Sequence, residues 1–472
     1  MSGFFVVGER KERPGVYKRY ENAGGVETAG ARDGIGCAIV TGNWGEMNKP
    51  VTIDQSTDIS TVIGAGTGAD AIKAFLAGGV NECVVVRAGN GGTAGSVALK
   101  DTAASAAEVV TLTALYPGNR AFTITVKASL DDEETKEATI YEGTKKLEQV
   151  SFAAGAAEVD GIVAAFANSK YVKAAKKAAG NGTLADVSQK AFTAGTNPTV
   201  NTEAYSTALT ASEAETRDMI IVDTNDPAVH AVVETHIARV HQEGAYTCAT
   251  VAEDPSTALE TRMQHAAAFN DEKMHYVLNG WIGADGIEYQ GYLAAARIGG
   301  MICAGAANAS LTHTVVTGAA SLSETLTSGQ IKKALKSGCL VLSLSKSKQI
   351  WIEKAINTLV TLAANQDAGW KKIRRVKERF ELMSRVEETI EGMVGAVDND
   401  ADGRAAIIAA AQRVVDAMVG EKKLLSGTVI EDEANPAEGD SAWFIIAVDD
   451  LDSIETIYLT FCFRFAAEDA EE

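Results

Sequence analysis

The sequence contains no G-x-x-x-x-G-K-[ST] loop, no G-x-S-x-G elbow and no H-E-x-x-H pair, so the usual signatures of phosphate cradling, acyl transfer and zinc peptidase chemistry are missing. Without a nucleotide loop, any mechanical work has to draw on stored conformational energy. Proline is scarce, seven in 472 residues, which excludes a proline-rich stalk or fibre. The six cysteines, Cys37, Cys83, Cys248, Cys303, Cys339 and Cys462, have no paired spacing. They sit mainly in apolar runs, which points to buried thiols rather than disulfides or metal ligands, and to synthesis in a reducing cytoplasm. No segment of transmembrane length is free of charge, and the opening apolar run is too short for a signal peptide, so no direct membrane insertion is expected. Basic residues are outnumbered, 43 Lys and Arg against 63 Asp and Glu. A net charge of −20 repels phosphate, which argues against nucleic acid as a partner.

What is present is a large globular chain. Its 472 residues, 46% of them hydrophobic, are enough for about three domains with real cores. Apolar runs at 35–40, 83–86, 219–222, 247–251 and 276–278 read as buried strands, alternating with helical patterns at 70–76, 228–241 and 257–269, which predicts an α/β layer. A short apolar pair, Val62 and Ile63, is read as a strand running into a glycine turn. Residues 89–95 read as a flexible linker, and beyond them short Thr/Val strands predict an inserted, mainly β domain over 100–196. From 328 to 419 helices dominate, with Asp402 as the cap of the last one.

The chain ends in two strong apolar stretches, 442–448 and 454–465, separated by the acidic run 449–453. In the second, Ile457, Leu459, Phe461, Phe463 and Phe465 alternate with Tyr458, Thr460, Cys462 and Arg464, the period of a strand with one buried face. The two stretches read as a hairpin, which needs further strands from its own domain or from another molecule. At the other end, Val16, Tyr17, Lys18, Arg19 and Tyr20 follow a Pro14-Gly15 turn and read as a strand on an extended arm.

Chemistry-bearing candidates are few. Gly64, Gly66 and Ala69 fit G-x-G-x-x-A ahead of a helix, and Arg87 ends the next strand, where an arginine can hold a 2′-phosphate; an NADP-dependent α/β enzyme is therefore an alternative. Residues 398–403 resemble half of a calcium loop, but Ala409 stands where a bidentate glutamate is required. His230, His236 and His241 are spaced by six and five, which scatters them round a helix. Lys371, Lys372, Arg374, Arg375, Lys377 and Arg379 form one dense basic strip, read either as a solvated helix face or as a docking strip for an acidic protein surface.

Several stretches, in order, resemble the tail sheath proteins of contractile phage tails and related bacteriocins. They are Arg13-Pro14-Gly15-Val16-Tyr17, residues 38–50 (AIVTGNWGEMNKP), 71–87 (AIKAFLAGGVNECVVVR) and Tyr116-Pro117-Gly118-Asn119. They continue through Ser310-Leu311-Thr312, residues 338–342, 353–359 (EKAINTL) with Lys371-Lys372-Ile373-Arg374-Arg375, and 441–465. Their collinear order carries the resemblance, which is weakest across 120–196. The resemblance implies a structural protein rather than an enzyme, without cofactor or metal, of α/β (α+β) multidomain fold. It divides the chain into an N-terminal arm (1–22), a core in two parts (23–99 and 197–345), the inserted domain (100–196), and an inner C-terminal domain (346–472) ending in a β arm.

The same resemblance implies subunits stacked as hexameric rings round an inner tail tube, metastable when extended and contracting to drive the tube through a membrane. Its implied partners are copies of itself, the tube protein, and baseplate and tail terminator proteins. Assembly is expected in the host cytoplasm, for a virion tail or a released tail-like particle. The strands Val16 to Tyr20 and Ile457 to Phe465 are expected to pair between subunits, and the basic strip to face the tube or a neighbour. A filament or shell without a tube is the further alternative.

Overall fold

The computed structural model describes residues 2–4, 16–18, 34–177 and 180–463. The chain divides into two compact units, one formed by 32–378 with 452–472 and one by 1–31 with 379–451. Helices and strands are mixed in several sheets, the α/β multidomain class expected from the sequence.

The larger unit is organised on a seven-stranded sheet. Its strands in chain order are β1 (Ile35–Val40), β2 (Pro50–Asp54), β3 (Glu82–Arg87), β4 (Met219–Val222), β5 (Cys248–Val251), β6 (Met274–Val277) and β7 (Cys339–Leu340). Their spatial order is β7-β6-β5-β4-β1-β3-β2, all parallel except β2, which runs antiparallel to β3. Burial on both faces explains their unbroken apolar sequence. On one face Cys37 and Ile39 pack with Tyr205, Leu209, Val229 and Val233 from helices Thr202–Ala211 and Pro227–Gln242. On the other, a Cβ at Gly36 would overlap the Phe75 ring, so helix Thr67–Leu76 lies directly on β1. The chain leaves β1 toward one edge and β4 toward the other, which makes their boundary a topological switch point, the place where open α/β sheets bind ligands. The stretch before the glycine turn is not a strand: Ile59–Val62 is a helical turn capped by Asp58, whose carboxylate accepts from the Ser60 amide.

Two further sheets, of four and three strands, are built from segments between Ser96 and Ala191, within the stretch expected as an inserted domain. The glycine-rich run before it is not a loose linker. Asn90 bridges Thr199 and Thr93 bridges Thr196, so entry and exit chains are zipped together. Trp44, from the loop after β1, inserts into the sandwich core beside Phe122, Tyr116 and Tyr171. The Arg120 guanidinium lies 5.0 Å from the Trp44 ring centre and 5.2 Å from that of Phe122, and forks onto Glu142 at 2.9 and 2.8 Å.

In the smaller unit, helix Ala401–Gly420 covers an antiparallel pair, β8 (Leu424–Glu431) and β9 (Phe444–Asp450). Leu382, Val386, Val414, Val415, Met418, Leu424 and Val429 form its core. A Cβ at Gly427 would stand 2.7 Å from Val415 Cγ1, so this glycine lets the helix approach the sheet. The helix cap is Asp400, accepting from the Gly403 amide, while Asp402 sits in the first turn. The expected hairpin between 442–448 and 454–465 does not form: β9 pairs with β8, which lies before it in sequence, and no strand is assigned over 451–463. Also in this unit, Ser2–Phe4 pairs in parallel with Val16–Lys18.

Candidate functional site

At the switch point the sheet closes on itself. Asp223, which follows β4, is 4% exposed. Its Oδ2 accepts from the Thr41 amide (3.0 Å), the Thr41 hydroxyl (2.6 Å) and the Thr67 hydroxyl (2.7 Å), and Oδ1 accepts from the Tyr205 hydroxyl at 2.8 Å. Thr67 opens helix Thr67–Leu76, so a carboxylate of the chain sits where the helix amides and dipole favour an anion. Burial, and then the charge of Asp223, push the Tyr205 phenol far up. The glycines are used internally: Gly64 and Gly66 have φ of 77° and 122°, and a Cβ at Gly68 would come within 2.0 Å of the Thr41 carbonyl. Arg87 is buried and donates to the Gly42, Gly45 and Pro117 carbonyls at 2.7 to 3.1 Å. It is spent on these loop carbonyls, which corrects its assignment as a 2′-phosphate ligand.

Other sequence candidates also have internal employment. Asn399 donates to the Gly439 and Ser441 carbonyls, and Asp400 caps its helix. Among the described residues no group of three or more His, Cys, Asp or Glu side chains is placed to hold a metal. His230 and His236 are buried, partnered by the Thr224 carbonyl and by Arg217, and His241 packs edge-on to Tyr246. Five cysteines are buried and Cys462 is exposed. Burial pushes the thiol of Cys37 up to about 11 and those of Cys248 and Cys339 up to about 12. No described helix is long and apolar enough to cross a membrane.

The basic strip is half-buried, and every member has a partner inside its own unit. Lys371 donates to the Val360 carbonyl, Lys372 to Asp452 (2.7 Å), Arg374 to Glu378 (3.0 Å) and Arg375 to Asp367 (3.4 Å). Lys377 caps the carboxyl end of helix Tyr292–Ala304 through the carbonyls of Ile302, Cys303 and Gly305, and Arg379 forks onto Asp450 (2.9 and 2.6 Å). The solvated helix face is thus corrected to a set of internal braces.

The unsatisfied feature is the C-terminal segment. Ile454 is 83% exposed, Ile457 72%, Leu459 73%, Phe461 74% and Phe463 89%. In the smaller unit, Leu425, Ile430, Trp443, Ile445 and Ile446 also stand exposed on or beside β8 and β9, a two-stranded sheet to which no further strand is paired among the described residues. Arg19, Tyr20 and Phe465 lie outside the described residues, and Val16, Tyr17 and Lys18 are described as a strand only. Sequence reading missed Glu455 and Thr312, polar residues inside otherwise ordinary stretches, which meet at 3.2 Å.

Two family models match the chain in succession: the phage tail sheath protein beta-sandwich domain over residues 90–197, and the phage tail sheath protein central domain over 198–358. Among solved structures, a sheath tail protein from Desulfitobacterium hafniense is similar at a TM-score of 0.71 and 18% identity, covering 93% of this chain and 100% of that one. A sheath tail protein from Listeria innocua gives 0.66 and 17% identity, with 90% and 97% covered. The sheath of an extracellular contractile injection system in its contracted state gives 0.57 and 9%, with 96% and 98% covered. At these identities the likeness to the solved structures is one of fold.

Proposed function

The chain belongs to the phage tail sheath family, and on that premise we propose that it is the structural subunit of a contractile sheath, polymerising as stacked hexameric rings round an inner tube. It is held extended in a metastable state and shortens to drive the tube through a membrane, drawing on conformational energy. Copies of itself, the tube protein, and the baseplate and terminator proteins at the two ends are its partners. It is assembled in the host cytoplasm.

The observation that carries this reading is the exposure of the apolar segment 454–463. Burying each of its five large apolar side chains contributes about 1.5–3 kcal/mol. Each new ladder hydrogen bond adds roughly 1 kcal/mol net. Association costs roughly 4–15 kcal/mol, so one strand donated between two chains is marginal and a mesh of many is stable. The N-terminal strand Val16 to Tyr20 serves as a second donor in the same mesh. The basic strip faces the tube or an adjacent subunit with its half-exposed edge, while its inner edge braces the fold.

Cys462 supplies the test, because it is exposed and lies between Phe461 and Phe463 while the other five thiols are buried. A maleimide should label one cysteine per chain in dilute protein and label far more slowly in assembled particles, and negative-stain images should contain ridged hollow cylinders. Equal labelling in both states, or particles without such cylinders, overturns the proposal. Cylinders formed in the absence of any tube protein would favour the tube-less filament.

A further inference from the structure

Burial is inverted at the root of the C-terminal segment. Ile454 and Ile457 are exposed, while the Glu455 side chain between them is 13% exposed. Lys372 Nζ lies 2.7 Å from Asp452 Oδ2 and 3.3 Å from Glu455 Oε2. The Thr312 hydroxyl donates to Glu455 Oε1 at 3.2 Å while accepting from the Ala355 amide at 3.1 Å, and Lys354 Nζ stands 3.9 Å from Glu455 Oε2. Burial works against the Asp452 charge, yet the hydrogen bond from Lys372 and the amide of Ser453 hold its carboxyl below the usual range. The receiving residues come from three stretches, locked together by the Ala355 amide on Thr312, the Ile356–Lys372 bridge and the Ile373 amide on the Ala355 carbonyl. A segment serving only its own unit would turn its isoleucines in and its acids out. Here the acids are the grip and the apolar side chains are left for something else.

We propose that Thr312, Lys354 and Lys372 form an anchor for Asp452 and Glu455 that fixes where the C-terminal segment leaves its own subunit, so that 457–463 is delivered to a second copy of this chain from a set point. The inference rests on the sheath reading. Releasing the anchor frees the four residues 452–455, adding about 13 Å of reach and lowering the effective concentration of the donated strand at its acceptor. Lys372 is in this sense a positioning residue.

The test compares the parent chain with Lys372→Glu, the isosteric Glu455→Gln, and the charge swap Lys372→Glu with Asp452→Lys, all checked for unchanged far-UV circular dichroism. Fast backbone motion over 453–456, read below the assembly concentration from 15N–1H heteronuclear NOEs, should increase in the two disrupted variants and return toward the parent value in the swap. The disrupted variants should then assemble more slowly and with irregular axial spacing, again restored by the swap. Unchanged NOEs overturn the anchor. Greater motion with normal, regularly spaced assembly overturns the delivery role. A parent chain that forms no assembly overturns the sheath reading and the delivery with it, while the relaxation arm still decides the anchor.

Discussion

Asp223 is the residue whose removal tests most directly why this α/β sheet has a closed switch point. Its carboxylate takes four hydrogen bonds, all from neutral donors, while 4% exposed. A hydrogen bond to a charged acceptor contributes roughly 1.5–3 kcal/mol, so simple addition gives roughly 6–12 kcal/mol. Two effects cut this down. The Thr41 and Thr67 hydroxyls lie 3.2 Å apart and can satisfy each other, and removing the carboxylate also removes the cost of burying its charge. The Thr41 amide and Tyr205 hydroxyl have no such fallback. Asp223→Ala should therefore cost about 3–5 kcal/mol, and Asp223→Asn, which turns one acceptor into a donor facing three donors or a single Tyr205, about 2–3 kcal/mol.

Urea unfolding followed by tryptophan fluorescence measures both. The alanine variant adds a second readout, since it leaves an anion-sized gap at a helix N-terminus. With a dissociation constant near 10 mM, about 100 mM acetate or phosphate should return roughly 1.4 kcal/mol to Asp223→Ala and nothing comparable to the parent. Both variants unfolding within about 0.5 kcal/mol of the parent would refute the reasoning, because a surface substitution changes stability by that much. Loss of stability without anion rescue would leave Asp223 a structural acceptor and refute its role as a built-in anion.

Two further outcomes follow from buried charge. Burial, then the charge of Lys377, holds His275 down to about 3, and burial, then Arg217 and Arg239, holds His236 down to about 4. Both lie below the unfolded value near 6.5, so the unfolded chain takes up these protons first and stability is lost as pH falls below 6.5. The loss should approach about 1.4 kcal/mol per pH unit per histidine near pH 5, read from denaturant midpoints, and His275→Gln should flatten the slope by about half. Arg120→Lys keeps the charge but loses the fork on Glu142 and the ring contacts. It should cost about 2 kcal/mol and open the zipped stretch 89–95 to limited proteolysis, whereas an unchanged cleavage map would show that Arg120 does not seat the sandwich.

The strands of the central sheet were legible because burial on both faces leaves continuous apolar runs, as at 35–40 and 219–222. The glycine turn was legible as a turn and misleading as a site. A fingerprint records that a backbone must come close, and here what comes close is β1: the decisive glycine is Gly68, against the Thr41 carbonyl. Arg87 reads like a ligand-binding arginine for the same reason, since donors aimed at loop carbonyls and at a phosphate look alike in sequence. β8 was missed because Gly427 and its polar neighbours break the apolar period, although that glycine is what admits helix Ala401–Gly420. Half of the basic strip looked free because the acceptors of Lys372, Lys377 and Arg379, which are Asp452, the carbonyls ending helix Tyr292–Ala304 and Asp450, are 71 or more residues away in sequence.

The C-terminal segment marks a different limit. Its alternation from Ile457 to Phe463 was plain in the sequence, and so was its need of a partner, but the nearest apolar stretch was the wrong one to choose. A hairpin formed with 442–448 would have used up the strand within its own fold and left the acids of 449–453 in a solvated turn. Instead the nearer stretch, as β9, is taken by β8, and Asp452 and Glu455 are held by a lysine and a threonine. If the proposed partner is another copy, this segment carries only half of the pairing signature: the apolar face is written in it and the acceptor lies elsewhere in the same sequence. The inversion of burial between Glu455 and its isoleucine neighbours is what that proposal expects at the root of the segment, where a lysine and a threonine hold the acid while the hydrocarbon stays exposed.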